Sequence, residues 1–147
     1  MRKNFFITSL FVFVMNAFIF GQNINKDMKN IALKGYDPVS YFTMGKPVMG
    51  QEKYKYEYME ALWLFSSQEN MEMFKMNPEK YTPQYGGYCA WAMAKGNKAD
   101  IDPNVWKIVD GRLYLNYNKS IGRKWAKDIK GFIKKADEKW KKLIGKM

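Results

Sequence analysis

The sequence predicts an α+β domain in which small antiparallel β-hairpins pack against several helices. Two pairs of short segments rich in β-branched and aromatic residues are each separated by a brief polar turn, a pattern typical of hairpins. After the second pair, apolar residues recur at spacings of three and four up to Ile144, which indicates amphipathic C-terminal helices. This order of elements favours separate antiparallel pieces over a parallel sheet.

The N-terminus has the pattern of a secretory signal peptide. Arg2 and Lys3 precede an apolar run from Phe5 to Phe20. The run is about 16 residues long, whereas a helix that crosses a bilayer needs about 20. We therefore expect residues 1–21 to be removed, which leaves a periplasmic or secreted protein with no transmembrane segment. An uncleaved membrane anchor is the alternative.

Composition limits the chemistry of the remaining chain. About 125 residues are enough for one domain with one hydrophobic core. A single cysteine cannot form an internal disulfide, and the absence of histidine removes the commonest metal ligand and the usual general base at neutral pH. Whether the protein is an enzyme stays open on these grounds, with a non-enzyme favoured.

The sequence predicts that the chain after the signal peptide forms a polar lead-in, a capped helical turn and a hairpin. Residues 22–34 are polar and are expected to dock only at their end, so the domain spans residues 35–147. Asp37 before Pro38 is an N-cap with proline at the first helical position. Tyr54–Tyr58 alternates with period two, and a strand ending at Phe65 follows it.

A capped helix and a glycine turn come next. Ser66 or Ser67 is expected to cap a helix that ends before Pro78. Pro83, the Gly86-Gly87 pair and the small and aromatic residues after it predict an extended approach, a tight turn and a short buried helix. A tight turn of this kind requires positive φ at one or both glycines.

The second hairpin and the C-terminal helices complete the domain. Val105–Val109 and Arg112–Tyr117 flank Asp110-Gly111, the signal of a type I′ turn. The amphipathic pattern beyond them is long enough for two helical segments, with the joint expected near Gly131.

Positive charge is concentrated in the C-terminal helices. Residues 119–147 carry eleven Lys/Arg and three Asp/Glu residues. Residues 22–118 carry twelve Lys/Arg and eleven Asp/Glu residues, so their charges nearly cancel. The basic helix is either an ordinary solvated face or a patch that docks on an anionic lipid, a polysaccharide or an acidic protein. Export disfavours nucleic acid as a partner.

Cys89 and Met93 form a candidate metal site. They are four residues apart, so on a helix they would share a face, and a thiolate with a thioether is a soft pair suited to Cu(I). Two alternatives remain open. Cys89 can be a small buried hydrophobe, or it can be a reactive thiol, for which Asp, Glu, Lys or Tyr would have to act as the base.

Aromatic residues near the predicted turns form a candidate small-molecule pocket. These residues are Tyr36, Tyr41, Tyr85, Tyr88 and Trp91. Asp37 and Asn118 would serve as its polar anchors. Packing of the core is the favoured explanation of the same aromatic residues.

Several of these segments together resemble the YHS-domain family. They are Asp37–Phe42, Phe65–Ser67, Tyr85–Ala90, Ile101–Pro103 and Val109–Gly111. The resemblance implies a binding domain for metals such as copper, and some members of the family are attached to metal transporters or oxygenases. We therefore expect an exported binding module for a metal ion or small molecule. The alternatives are a thiol-dependent enzyme or redox sensor that uses Cys89, and an interaction module that binds an anionic partner.

Overall fold

The computed structural model describes residues 23–145 and has the predicted α+β architecture. The predicted signal peptide, residues 1–21, lies outside the described residues. Among residues 23–145, no helix has the length and apolar character needed to cross a membrane. The helices are α1 (Ser40–Thr43), α2 (Gln68–Met76), α3 (Pro78–Tyr81), α4 (Ala90–Ala94), α5 (Lys119–Ala126) and α6 (Ile129–Ile144), and the strands are β1 (Gln51–Tyr58), β2 (Ala61–Phe65), β3 (Trp106–Val109) and β4 (Arg112–Leu115).

Both predicted hairpins are confirmed as separate two-stranded antiparallel sheets. In the first, Tyr58 pairs with Ala61, and β2 is almost wholly buried beneath the more exposed β1. In the second, Val109 pairs with Arg112 across a turn in which Asp110 and Gly111 both have positive φ, 51° and 74°. Positive φ at both central positions is the type I′ geometry that the Asp-Gly pair predicted.

The N-terminal lead-in docks earlier than expected. Ile24 is already buried, and the backbone N–H of Asn25 donates to the carbonyl of Gly86 at 2.8 Å. Further along, Ala32 donates to Leu62 at 2.9 Å, which fixes the segment against β2. The expectation that this segment docks only at its end was therefore wrong. Its contacts are backbone hydrogen bonds to distant residues, which polar composition does not reveal.

The glycine turn has the predicted geometry. A short 3-10 turn spans Gln84–Gly87, with φ of 62° at Gly86 and 83° at Gly87. Tyr85 also has positive φ, 59°, although it carries a side chain. The turn therefore reverses the chain through three successive left-handed residues and delivers Cys89 to the start of α4.

Aromatic residues dominate both halves of the core. The first core cluster is centred on Phe74, whose ring lies 5.1 Å from Phe65 and 5.5 Å from Trp63 between centroids. The second core cluster joins α4 and the C-terminal helices to β4, and there the rings of Tyr114 and Trp125 are 5.6 Å apart. Such ring pairs add roughly 0.5–1.5 kcal/mol each beyond the area they bury.

The joint between the C-terminal helices lies at Asp128 rather than near Gly131. Helix α5 ends at Ala126, and the Asp128 side chain accepts from the backbone N–H of Gly131 at 3.1 Å. An aspartate N-cap satisfies an otherwise unpaired helix donor, so the new helix begins there. A side chain at Gly131 would overlap the Asp128 carboxylate, which explains the glycine at this position.

Candidate functional site

The only cysteine is buried beside the amide of Asn116. Cys89 is 1% exposed, and its Sγ lies 3.4 Å from Asn116 Oδ1. The same oxygen accepts the backbone N–H of Trp91 at 3.0 Å. Asn116, which directly follows β4, therefore ties the start of α4 to the second hairpin. An amide oxygen is a hydrogen-bond acceptor but not a proton acceptor near neutral pH, so this partner orients the thiol without activating it.

The sulfurs of Cys89 and Met93 do not share a helical face. Cys89 precedes α4 as its N-cap, with non-helical backbone angles of −56° and 122°. Its side chain packs in the first core cluster, whereas Met93 packs in the second. The spacing of four residues assumed that both lie within one helix, and that assumption fails because the helix begins at Ala90. Metal binding by Cys89 stays a prediction without this pairing.

Other soft or charged ligands are not gathered around the thiol. Within residues 23–145 there is no group of three or more Cys, Asp or Glu side chains arranged to hold a metal ion. Met73 and Met76 lie on α2 at 36% and 85% exposure, in contrast to the buried Cys89. A metal held by Cys89 would therefore need ligands such as the Asn116 amide oxygen.

Asp37, a predicted polar anchor, holds three elements together. Its Oδ1 accepts the backbone N–H groups of Val39 and Ser40 at the start of α1, at 2.8 and 3.3 Å. Its Oδ2 accepts Ser66 N, Ser66 Oγ and Asn70 Nδ2 at 2.7–2.8 Å, from the end of β2 and from α2. The carboxylate is fully buried, and five donors from the chain occupy it. In this structure it serves the fold rather than a ligand.

The remaining predicted ligand residues have separate partners. The hydroxyl of Tyr41 donates to Pro103 O at 2.7 Å, and that of Tyr85 donates to Asp137 Oδ1 at 2.8 Å. Burial raises the pKa of both phenols, so both are neutral donors at physiological pH.

Tyr88 and Asn118 also have separate partners. The hydroxyl of Tyr88 lies 3.5 Å from Ile24 O, and Asn118 caps α5 by accepting Ile121 N at 2.8 Å. The structure does not gather Tyr41, Tyr85, Tyr88 and Asn118 around one cavity.

A cleft between β3 and α5, which sequence reasoning missed, holds the strongest convergence of functional groups. We call it the β3–α5 cleft. It has a volume of about 370 Å³. Its main lining residues are Trp106, Lys107, Asn116, Lys119, Arg123 and Trp125. Since Asn116 lines the cleft and also contacts the thiol, the buried Cys89 lies directly behind the cleft wall.

The β3–α5 cleft is electropositive. Lys107, Lys119 and Arg123 line it, and no Asp or Glu does. Among residues 23–145, none of these three cations forms an ion pair with a carboxylate. Three like charges around one concavity attract anions, more strongly there than on a flat surface.

One donor in the β3–α5 cleft wall has no acceptor from the described chain. Trp125 is 2% exposed, and no group among residues 23–145 accepts a hydrogen bond from its Nε1. An indole N–H can only donate, and a buried donor left without an acceptor costs about 1–3 kcal/mol. Its ring is held against Tyr114 in the second core cluster.

The other basic C-terminal residues up to Lys142 lie on exposed surfaces. On α6 the lysines are exposed, while Ala136 and the apolar residues at its spacing face the second core cluster. Lys95 and Lys124 lie 4.3 and 5.5 Å from the centroid of the half-buried Trp91 ring, within cation–π range. Docking of this basic face on an anionic surface or acidic protein stays a prediction.

Comparison with known proteins identifies the first half of the fold. Residues 39–85 match the family model described as the YHS domain. Over these residues the chain carries a YHS domain. The matched part of the YHS domain runs from the start of α1 through the first hairpin and α2 to the glycine turn. It includes neither Cys89 nor the β3–α5 cleft. No curated protein and no solved structure matches the chain.

Proposed function

We propose that this YHS-domain protein is an exported, non-enzymatic binding module whose ligand occupies the β3–α5 cleft. The observation that carries the proposal is the convergence of two tryptophans, three cations and a buried unpaired donor on one cavity. Small-molecule sites are typically concave and largely apolar, with a few polar groups that fix orientation.

A binding role is favoured over catalysis by the surroundings of the thiol. Cys89 is the one cysteine, and its hydrogen-bond partner is an amide rather than a base. A cysteine nucleophile needs a lowered pKa or a neighbouring base, together with access for substrate. The burial of Cys89 denies that access in this conformation.

Protein isolated from its native envelope or medium should begin within a few residues of Gln22 and should carry a bound ligand. The apolar run before Gln22 predicts cleavage there, and a cleft that has an unpaired donor favours retention of a ligand. N-terminal sequencing and native mass spectrometry of one preparation measure both properties. A mature chain that retains Phe5–Phe20 contradicts export, whereas a chain that carries no added mass and takes up none from envelope extract contradicts the binding role.

A second candidate ligand is a soft metal ion, most simply Cu(I), held by Cys89. The favouring observation is that Asn116 both contacts the thiol and lines the β3–α5 cleft. Rotation of that amide would open a path from the cleft to the sulfur and would leave its oxygen within reach of the metal. A thiolate is the strongest ligand for Cu(I) that this chain offers.

Replacing Cys89 with serine should weaken Cu(I) binding by about tenfold or more, because oxygen is a poor ligand for a soft ion. Met93→Leu is the matched control and should leave the affinity unchanged, since Met93 packs in the other core cluster. Anaerobic competition with a chromogenic Cu(I) chelator measures both. Equal affinities of the wild type and Cys89→Ser contradict the metal role. Rapid labelling of native, metal-free Cys89 by a thiol reagent would instead favour a reactive thiol.

A further inference from the structure

We infer that the β3–α5 cleft recognises an organic anion: a flat apolar body lies against the tryptophans, and a carboxylate, sulfonate or phosphate group faces the cations. This inference rests on the proposed function and specifies the chemistry of its ligand. The free metabolite and the headgroup of a lipid share this chemistry, and the test below separates them.

The basic residues of α5 lie on the face that lines the β3–α5 cleft. Lys119, Gly122, Arg123 and Ala126 are spaced by three and four residues and all line the cavity. On a helix packed onto a strand, such positions are usually apolar. Here two of the four are cations, and both are exposed residues that line the concavity.

Lys107 extends the positive charge to the opposite wall. It lies on β3, and the absence of lining carboxylates leaves the three charges without neutralisation inside the β3–α5 cleft. Repulsion among them disfavours an empty cleft and favours an anion that lies between them. Arg123 can bind an oxyanion through two parallel N–H groups, which gives orientation as well as attraction.

The unpaired indole is a second, independent indication of a ligand. Trp125 lines the β3–α5 cleft, and its buried Nε1 has no acceptor among the described residues. Ordinary packing does not explain a buried donor left in this way, because folded proteins pair nearly all such groups. A small movement of the Trp125 side chain would bring this donor to a ligand oxygen in the cleft, and oxyanions are strong acceptors.

The apolar lining of the β3–α5 cleft determines which uncharged body the ligand can have. Trp106 is half-buried and fixed edge-on against Tyr41, with ring centroids 5.1 Å apart, so its position is set by the core. Gly122 lies opposite Val105, where an added Cβ would be 2.8 Å from Val105 Cγ1. A cavity of about 370 Å³ between rigid tryptophans suits a molecule of one or two fused rings.

A matched pair of fluorescent probes tests the inference on the intact mature protein. Anilinonaphthalene sulfonate is a flat aromatic anion, and phenylnaphthylamine is the same skeleton without the charge. We expect the wild type to bind the sulfonate about tenfold more tightly or better, as charge-assisted hydrogen bonds allow. High salt should reduce that preference.

Two substitutions assign the binding to the β3–α5 cleft. Arg123→Gln should abolish most of the preference for the sulfonate but leave the uncharged probe unaffected. Lys135→Gln, which removes one charge on exposed α6 outside the cleft, is the control and should change neither probe. Ala126→Phe should weaken both probes, because Ala126 is exposed and a larger side chain would fill the cleft mouth.

The possible results separately test the anion inference, the binding function of the cleft and the source of the ligand. Equal affinity for the two probes, both weakened by Ala126→Phe, overturns the anion inference and leaves the cleft as an apolar site. Binding that Ala126→Phe does not change, or no binding of either probe, overturns the binding function of the cleft itself. Competition of the bound sulfonate by a water-soluble aromatic carboxylate supports a free metabolite. Competition only by anionic lipid vesicles supports a headgroup ligand.

Discussion

Replacing Gly86 with alanine should lower the free energy of unfolding by about 2–5 kcal/mol, because two penalties combine. Gly86 has a φ of 62°, a conformation that residues with a Cβ adopt at a cost of about 1–2 kcal/mol. An added Cβ would also overlap the carbonyl oxygen of Asn23, so the N-terminal segment would have to move. That movement breaks the bond from Asn25 N to Gly86 O. Urea unfolding followed by tryptophan fluorescence measures the loss.

Two other glycines separate the two penalties. Gly87 has a φ of 83°, but a Cβ there would meet Pro83 side-chain atoms at 3.9 Å and Asn25 Cβ at 4.0 Å, which are ordinary contacts. Gly111 has a φ of 74° with nothing within 4 Å. Alanine at either position should cost only the conformational penalty of about 1–2 kcal/mol. A loss in Gly86→Ala no larger than in Gly111→Ala would mean that close docking of the N-terminal segment contributes no stability.

Local signals sufficed to predict much of the fold. The Asp110-Gly111 pair predicted the second hairpin because Asp-Gly favours a type I′ turn, whose twist matches that of the strands it joins. Ser67 predicted the start of α2, and its side chain does accept from Asn70 N at 3.1 Å. Each of these features is determined by residues no more than four positions apart, so the local sequence is enough to predict it.

Features that depend on distant partners could not be predicted in this way. The docking of residues 23–32 depends on backbone bonds to Gly86 and Leu62 and on isolated side chains such as Ile24, which form no periodic pattern. The one-turn helix α3 was missed, although Pro78 at its first position after Asn77 fits a helix start. The same Asn77-Pro78 pair also marks the end of α2, so one local signal stands for two helix boundaries.

The candidate site was predicted less well, because a shift of one residue in a helix start changes which side chains face each other. The shared face of Cys89 and Met93 required both to be helical, and the helix starts after Cys89. The β3–α5 cleft joins residues from two elements that the sequence analysis treated separately. Its one local sign was the interruption of the apolar face of α5 by Lys119 and Arg123.

Replacing Asp37 with alanine should destabilise the protein by about 3–5 kcal/mol, since each buried donor left without a partner costs about 1–3 kcal/mol. Asp37 is fully buried and accepts hydrogen bonds from Val39, Ser40, Ser66 and Asn70. Without it, the start of α1, the end of β2 and α2 lose their common acceptor at once. Chemical denaturation measures the change, with coincident fluorescence and circular dichroism transitions as the test of two-state unfolding.

The matched control is Asp128→Ala, which removes a second aspartate cap from an exposed helix start. The Asp128 side chain accepts the Gly131 N–H at 3.1 Å, and water can replace this exposed carboxylate as the acceptor, so the loss should be about 1 kcal/mol. Asp37→Asn should fall between the two, because it keeps the shape of the side chain but turns an amide N–H₂ toward donors. The losses of unfolding free energy in the three variants therefore separate the contribution of a buried carboxylate from that of a helix cap alone. If Asp37→Ala costs no more than Asp128→Ala, the buried carboxylate is an ordinary cap, and the junction of the first hairpin with α1 and α2 is held by apolar packing instead.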